Sequence, residues 1–149
     1  MDTVTREKRS WIMSQIKGRD TKPEFVVRSL LHRMGYRFRL HRKDLPGRPD
    51  IVLPKYGISI FVNGCFWHRH KGCRFAYEPK SRKRFWLKKF TENVERDGRV
   101  RRELKALGWK VITIWECQTR SVGTLSRKLE KLAALERDSW SGRTIIKNH

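Results

Sequence analysis

Cys65, His70, Cys73 and Cys117 carry sulfur and nitrogen donors, and three of them fall within one short stretch. A zinc ion takes such a set as a tetrahedron, and a site whose four positions are all filled by protein is structural. The stretch from Gly64 to Lys80 is rich in Cys, His, Gly and Arg and has no Val, Leu or Ile, so it needs a tie of that kind to hold one shape. Three buried cysteines and a surface histidine are the ordinary alternative. The spacing favours one Zn2+ per chain, although it matches no finger pattern. The cysteine count is three, and in a reducing compartment an odd count argues against a disulfide framework and leaves metal binding, buried packing or a reactive thiol.

A second constellation is acidic. The chain has 15 Asp and Glu against 36 Lys and Arg, so the position of each acid is informative. Glu24 stands at a helix start, Asp50 opens an apolar run directly after Pro49, and Asp97 falls on one face of a long helical pattern. Hydrolysis of a phosphodiester near neutral pH is greatly helped by Mg2+, a hard cation that takes carboxylate, carbonyl and water oxygens. Asp50 and the backbone carbonyl of Val62 are candidate ligands, and Asn63 stands next to them. Histidine is the side chain whose unperturbed pKa lies near neutrality, which makes His68 the candidate general base or acid. Each has an ordinary explanation too. Glu24 completes a capping box, Asp97 pairs with Arg96 or Arg101, and His68 competes with His70 for the zinc loop.

Charge says what such chemistry would act on. The net charge is +21 over 149 residues. Solubility needs only about 2 to 8 charges on a small domain, and an excess this large creates a field suited to a polyanion. Nucleic acid is the expected partner. A membrane is not, because no stretch reaches the roughly 18 apolar residues of a span. The N-terminal residues carry no apolar signal core, so a cytoplasmic protein is expected. Phe66 and Trp67 beside the metal-type loop, with Trp86 at the start of the long helix, can stack on bases or push between base pairs. A small aromatic core around the zinc is the competing explanation.

These residues must be positioned by a modest set of elements. Arg6 to Lys17 reads as a short basic helix or arm. Thr21-Lys22-Pro23-Glu24 has the form of a capping box with proline in the first turn, and Gly35 ends the helix. Tyr36 to His41 alternates as a strand. Pro46-Gly47-Arg48-Pro49 is a rigid turn, Ile51 to Leu53 and Ile58 to Val62 form a hairpin around Pro54-Lys55-Tyr56-Gly57, and the hairpin register puts Asp50 opposite Phe61. Ser81 is the expected cap of a helix running to about Leu107, with Trp86, Phe90, Val94, Asp97, Arg101 and Leu104 on one face. Lys110 to Trp115 is a strand with Val111, Ile112 and Ile114 buried. Leu125, Leu129, Leu132 and Leu135 mark a last amphipathic helix. The length fits a single domain over 1–149, divided into an arm at 1–20, a core at 21–120 and a helix and tail at 121–149. The order of elements implies an α/β fold, a mixed sheet flanked by helices.

Five blocks of the sequence together resemble the Vsr, or very short patch repair, DNA mismatch endonucleases. They are Thr21-Lys22-Pro23-Glu24, Leu45-Pro46-Gly47-Arg48-Pro49-Asp50, Phe61-Val62-Asn63-Gly64-Cys65-Phe66-Trp67-His68, Asn93-Val94-Glu95-Arg96-Asp97, and Gly108-Trp109-Lys110-Val111 through Trp115-Glu116-Cys117. The resemblance implies a PD-(D/E)xK restriction-endonuclease-like fold. It implies nicking of double-stranded DNA on the 5′ side of the thymine in a T:G mismatch, the lesion left when 5-methylcytosine deaminates. It assigns Asp50 and the Val62 backbone to catalytic Mg2+, His68 to activation of water, Glu24 and Asp97 to metal-bound waters, and Cys65, His70, Cys73 and Cys117 to a structural zinc. Phe66, Trp67 and Trp86 would wedge beside the mismatch, and the N-terminal helix near Met13 would grip the minor groove. Mismatch-repair proteins are candidate helpers, a monomer is expected, and the site of action would be the bacterial nucleoid. This chain departs from the pattern at Asn63, where family members often carry histidine. Two other classes remain in play: a non-catalytic zinc module that binds nucleic acid, and a nuclease of the same fold with another target. The first leaves the placement of Glu24, Asp50 and Asp97 unexplained.

Overall fold

Thr21 caps the first helix, its hydroxyl accepting from the Glu24 amide at 3.4 Å. This computed structural model describes residues 21–132. The basic arm with Met13, and the tail with Leu135, lie outside the described residues. Helix α1 is Lys22–Arg33 and ends at Gly35, whose φ of +90° is the left-handed stop that glycine adopts without strain. There follow β1 (Arg39–Leu40), β2 (Ile51–Leu53), β3 (Ile58–Asn63), α2 (Lys83–Ala106), β4 (Lys110–Trp115) and α3 (Val122–Glu130). That is the expected order of helix, three strands, helix, strand, helix.

The sheet order is β1-β2-β3-β4, antiparallel for the first two pairs and parallel for β3 with β4. The tight link through Gly57, at φ +67°, suits an antiparallel hairpin. Parallel pairing of β3 with β4 needs a crossover, and α2 supplies it. Alternate residues of the strands face two different helical layers. Ile51, Leu53, Ile58, Ile60 and Ile114 pack with Val27 and Leu31 of α1 and Leu125 and Leu129 of α3. Val52 points the other way, into Leu45, Val100, Leu104 and Trp109 on the α2 side. Sheet between helices explains why all three residues of β2 are buried. Each fully buried aliphatic side chain contributes about 1.5 to 3 kcal/mol, so this double cover is what fixes β2 and the acid at its start.

Several local expectations are corrected. The strand expected over Tyr36 to His41 pairs only at Arg39–Leu40, because Tyr36 and Phe38 pack against the α1–α3 core and Tyr36 meets Tyr56 edge-on at 5.7 Å. Ser81 does not cap α2. The cap residue is Arg82, at φ +55° and with no side-chain cap bond, so the chain enters the helix through a left-handed turn. The buried face of α2 is Phe90, Asn93, Val100 and Leu104, while Val94 is 48% exposed. Helical spacing from Phe90 runs through 93, 97, 100 and 104, and Val94 and Arg101 fall one position off that stripe. In β4 only Ile114 is buried; Val111 and Ile112 are half-buried, since among the described residues the sheet ends at this strand.

The Pro46–Pro49 turn closes directly onto α2. Gly47 has φ +72°, and a Cβ there would lie 2.4 Å from Val100 Cγ1. Only glycine satisfies both the backbone and the contact. The turn therefore delivers Asp50 to β2 at a position set by the long helix.

Candidate active site and metal centre

Asp50 immediately precedes β2. Ile51 pairs with Ile60, which puts Asp50 beside the following rung of β3, and its Oδ2 accepts from the Val62 amide at 2.7 Å. The carboxyl is 8% exposed. Burial pushes it up to about 7, against the pull of the Val62 amide and with a further push from the negative charge of Glu24. Glu24 approaches from α1 and is 1% exposed. The expected capping box is only half formed: Thr21 caps the helix, but the Glu24 carboxylate accepts from the Arg28 guanidinium at 2.9 Å and lies 3.0 Å from His41 Nε2. Donor atoms of Glu24, His41 and Asp50 all lie within 4.8 Å of one another. Two buried carboxylates pressed together, one of them pushed toward the neutral form, are a set that a hard cation relieves, so the residues fit a divalent metal.

His41 carries no signal in its spacing from Glu24, and residue types alone do not single it out. The one available signal is strand pairing: Leu40 opposite Ile51 in an antiparallel ladder leaves 41 opposite 50, and the His41 amide donates to the Asp50 carbonyl at 3.2 Å.

His68 Nδ1 lies 2.6 Å from Asp97 Oδ2 on α2. Asp97 therefore does not take the common fate of an ion pair with Arg96 or Arg101. A carboxylate on one ring nitrogen holds the tautomer with the proton there and leaves Nε2 as the acceptor. Asn63 ends β3, paired with Trp115 of β4, and is buried.

The four residues of the zinc expectation are brought together. Cys65, His70, Cys73 and Cys117 offer donors within 4.8 Å of one another. Cys117 comes from the turn after β4, where its amide donates to Cys65 Sγ at 3.4 Å and its sulfur lies 3.5 Å from His70 Nδ1. His70 stacks on Trp115, centroids 4.2 Å apart. Burial pushes the Cys65 thiol up to about 12, with the neighbouring sulfurs adding to the push. Burial lowers His70, with Lys128 assisting, which favours the neutral ring that a metal ligand needs. A soft nitrogen and sulfur set, with Cys65 buried and the others half-buried, and with burial raising the Cys65 and Cys117 thiols while hydrogen bonds lower Cys73, fits a metal cation that supplies the missing positive charge.

Arg69 likewise has no mark in the sequence pattern. At φ +54° it threads the loop, donating to the carbonyls of Phe66 (3.2 Å), Tyr77 (3.1 Å) and Ala76 (3.0 Å) and to Glu78 Oε1 (2.8 Å). Asn93 of α2 donates to the Trp67 carbonyl at 3.0 Å. Phe66 centres an aromatic cluster, with Trp67, Tyr77, Trp86 and Phe90 rings 4.9 to 5.3 Å away. Phe66 and Trp67 can share it because the chain turns between residues 65 and 69 rather than running extended. Tyr77 leaves the cluster 62% exposed on one side.

A mixed α/β chain of net charge +21, with buried paired carboxylates and a His–Asp couple on neighbouring elements, has the parts of an enzyme that cuts nucleic acid. The chain belongs to the Vsr family of DNA mismatch endonucleases and is a DNA endonuclease. The sequence model described as "DNA mismatch endonuclease Vsr" matches residues 1–74. The chain is 48% identical to "Type II nicking enzyme V.XorIIP" of Xanthomonas oryzae pv. oryzae, over 88% of this chain and 96% of that one. It is 43% identical to "DNA mismatch endonuclease Vsr" of Escherichia coli, over 93% of this chain and 85% of that one. It is 41% identical to "Type II nicking enzyme V.NmeAIP" of Neisseria meningitidis, over 93% and 98%.

Proposed function

We propose that this protein nicks duplex DNA on the 5′ side of the thymine in T:G mismatches, with Mg2+ as catalytic ion and Zn2+ as structural ion, and so starts very short patch repair. The observation that carries this reading is Asp50, buried on the Val62 amide beside Glu24. The names of the relatives, a mismatch endonuclease and nicking enzymes, support the choice of substrate. The fold is read as PD-(D/E)xK type, with residues 21–120 as the core, 1–20 as a DNA-gripping arm and 121–149 as a supporting helix and tail.

Asp50 and the Val62 carbonyl would hold Mg2+, which when bound supplies positive charge at the scissile phosphate. Asp97 holds the proton on His68 Nδ1, so that Nε2 accepts a proton from the attacking water. Glu24 orients water at the site and keeps Arg28 near it. Asn63 donates or accepts a hydrogen bond there but does not move a proton. Lysine and arginine side chains neutralise phosphates and give most of the affinity. Phe66, Trp67 and Trp86, with Met13 on the other groove, open the step at the mismatch, where a T:G pair yields more easily than a Watson–Crick pair. Cys65, His70, Cys73 and Cys117 with Zn2+ fix the loop that presents Phe66, Trp67 and His68.

The protein is read as a monomer acting on the nucleoid in the cytoplasm, with mismatch-repair proteins as candidate helpers. Among the described residues no helix is long and apolar enough to cross a membrane. A nicking assay on matched, T:G and other mismatched duplexes, with and without Mg2+, tests the reading. Mg2+-dependent nicking confined to T:G is expected. Equal cutting of matched DNA would point to a restriction-type target, and binding without cutting to a zinc module.

A further inference from the structure

We propose that His41 is a third protein ligand of the Asp50 centre, its imidazole Nε2 a nitrogen donor that tilts the site toward Mn2+ over Mg2+. This rests on the reading of Asp50 as a divalent-metal site and adds a residue and a selectivity to it.

Three observations carry it. First, His41 Nε2, a Glu24 oxygen and an Asp50 oxygen lie within 4.8 Å of one another, a span that one six-coordinate ion can bridge. Second, the backbone is bent to put the ring there. His41 sits at φ +47°, an uncommon conformation for a residue with a Cβ, directly after an edge strand of two residues. Its amide is tied to the Asp50 carbonyl at 3.2 Å, so the residue that carries the imidazole and the residue that carries the carboxylate are locked backbone to backbone. Conformations of this kind persist where the surrounding structure over-determines them, and they gather at functional sites. Third, a plain ion pair does not require this histidine. The Glu24 oxygen that His41 approaches already accepts from the Arg28 guanidinium at 2.9 Å, and Arg28 lies 3.4 Å from His41 Nε2 as well. An imidazole nitrogen presents a lone pair, which is what a metal takes.

The chemical consequence is selectivity. Mg2+ prefers oxygen ligands alone, whereas affinity for nitrogen donors rises from Mn2+ onward across the first-row metals. A site made of the Asp50 carboxylate, the Val62 carbonyl and one imidazole, with Glu24 on its waters, is therefore a better site for Mn2+ than for Mg2+.

The test uses the full-length, zinc-loaded protein and reads bound Mn2+ directly, by loss of the free-ion electron paramagnetic resonance signal, with Mg2+ as competitor. Wild type is expected to favour Mn2+ by about tenfold or more, and pulsed spectra of the bound ion are expected to show coupling to an imidazole nitrogen. His41→Asn keeps a residue that tolerates the left-handed backbone but is too short to reach the ion. It is expected to bring the two affinities within about threefold of each other, chiefly by weakening Mn2+. The pulsed spectrum of wild type needs no variant, so a poorly folded variant does not spare the proposal. Bound Mn2+ without nitrogen coupling, or with unchanged affinity in His41→Asn while Asp50→Ala abolishes it, would overturn the role of His41 alone. Unchanged binding in Asp50→Ala would overturn the underlying metal reading and the proposal with it.

Discussion

Replacing Asp50 by asparagine should make the Mg2+-free protein more stable at pH 8 while ending catalysis. The Asp50 carboxyl is raised from 3.8 to about 7, chiefly by burial. Its folded value lies above its unfolded one, so the folded protein holds this proton more tightly. The stability it contributes is complete below about pH 4 and is lost as pH rises to about 7. Each tenfold change in proton affinity is worth about 1.36 kcal/mol, so the loss comes to roughly 4 kcal/mol at pH 8, an upper bound because local relaxation and water reduce it. Asparagine resembles the protonated acid: it carries no charge and keeps an oxygen to accept from the Val62 amide, which donates at 2.7 Å. Urea denaturation in Mg2+-free buffer with the zinc retained measures the difference. With an m-value of about 1.5 to 2 kcal/mol/M, the midpoint of the variant should lie on the order of 1 to 2 M above wild type at pH 8 and draw close to it toward pH 4. Adding Mg2+ should raise wild type, by about 2.7 kcal/mol at a hundredfold excess over Kd, and leave the variant unmoved. A variant less stable than wild type at pH 8, or a gap that does not change with pH, would refute the reasoning that this buried charge is kept for a cation.

Asp97→Asn should leave binding intact and slow single-turnover nicking by about 10² or more, because an amide no longer fixes the tautomer of His68; His68→Ala should do at least as much, and a near wild-type rate in either removes the pair from the reaction. Cys117→Ser should abolish the metal content seen in elemental analysis and lower the melting temperature, since it takes away the ligand that ties the loop to the end of β4; full zinc retention would exclude the four-residue site. Trp67→Ala should weaken binding to T:G duplex by roughly 1 to 3 kcal/mol and to matched duplex by less; equal losses would make the aromatic cluster a core and nothing more. Asn63→His should change the single-turnover rate less than tenfold across pH 6 to 8, whereas a large gain with a titration near neutrality, on the scale of ~10², would give position 63 a proton-transfer role.

Much of this protein is legible in its residues. Helix stops at Gly35 and Gly108, the hairpin register through Asp50, and the order of elements follow from local rules. Turn residues, proline, and a period of two or three to four act over a few positions and leave a mark in the sequence. The composition of the Gly64–Lys80 loop called for a metal, and four donors do converge. Where local rules competed with packing, packing won. Tyr36 and Phe38 abandoned the strand ladder for the core, and the buried stripe of α2 shifted one position off the expected face. The partners of long range belong to the folded chain alone. Asp97 meets His68 across 29 residues, and Glu24 leaves half of its capping box for His41, 17 residues on. Pairing of that kind is fixed by which faces of the sheet each helix must cover, and a side chain records its own local preference but not the face opposite. His41 shows the difference most plainly. As a residue it is one histidine of five in a basic chain; two antiparallel rungs and a left-handed bend put its ring beside two buried carboxylates.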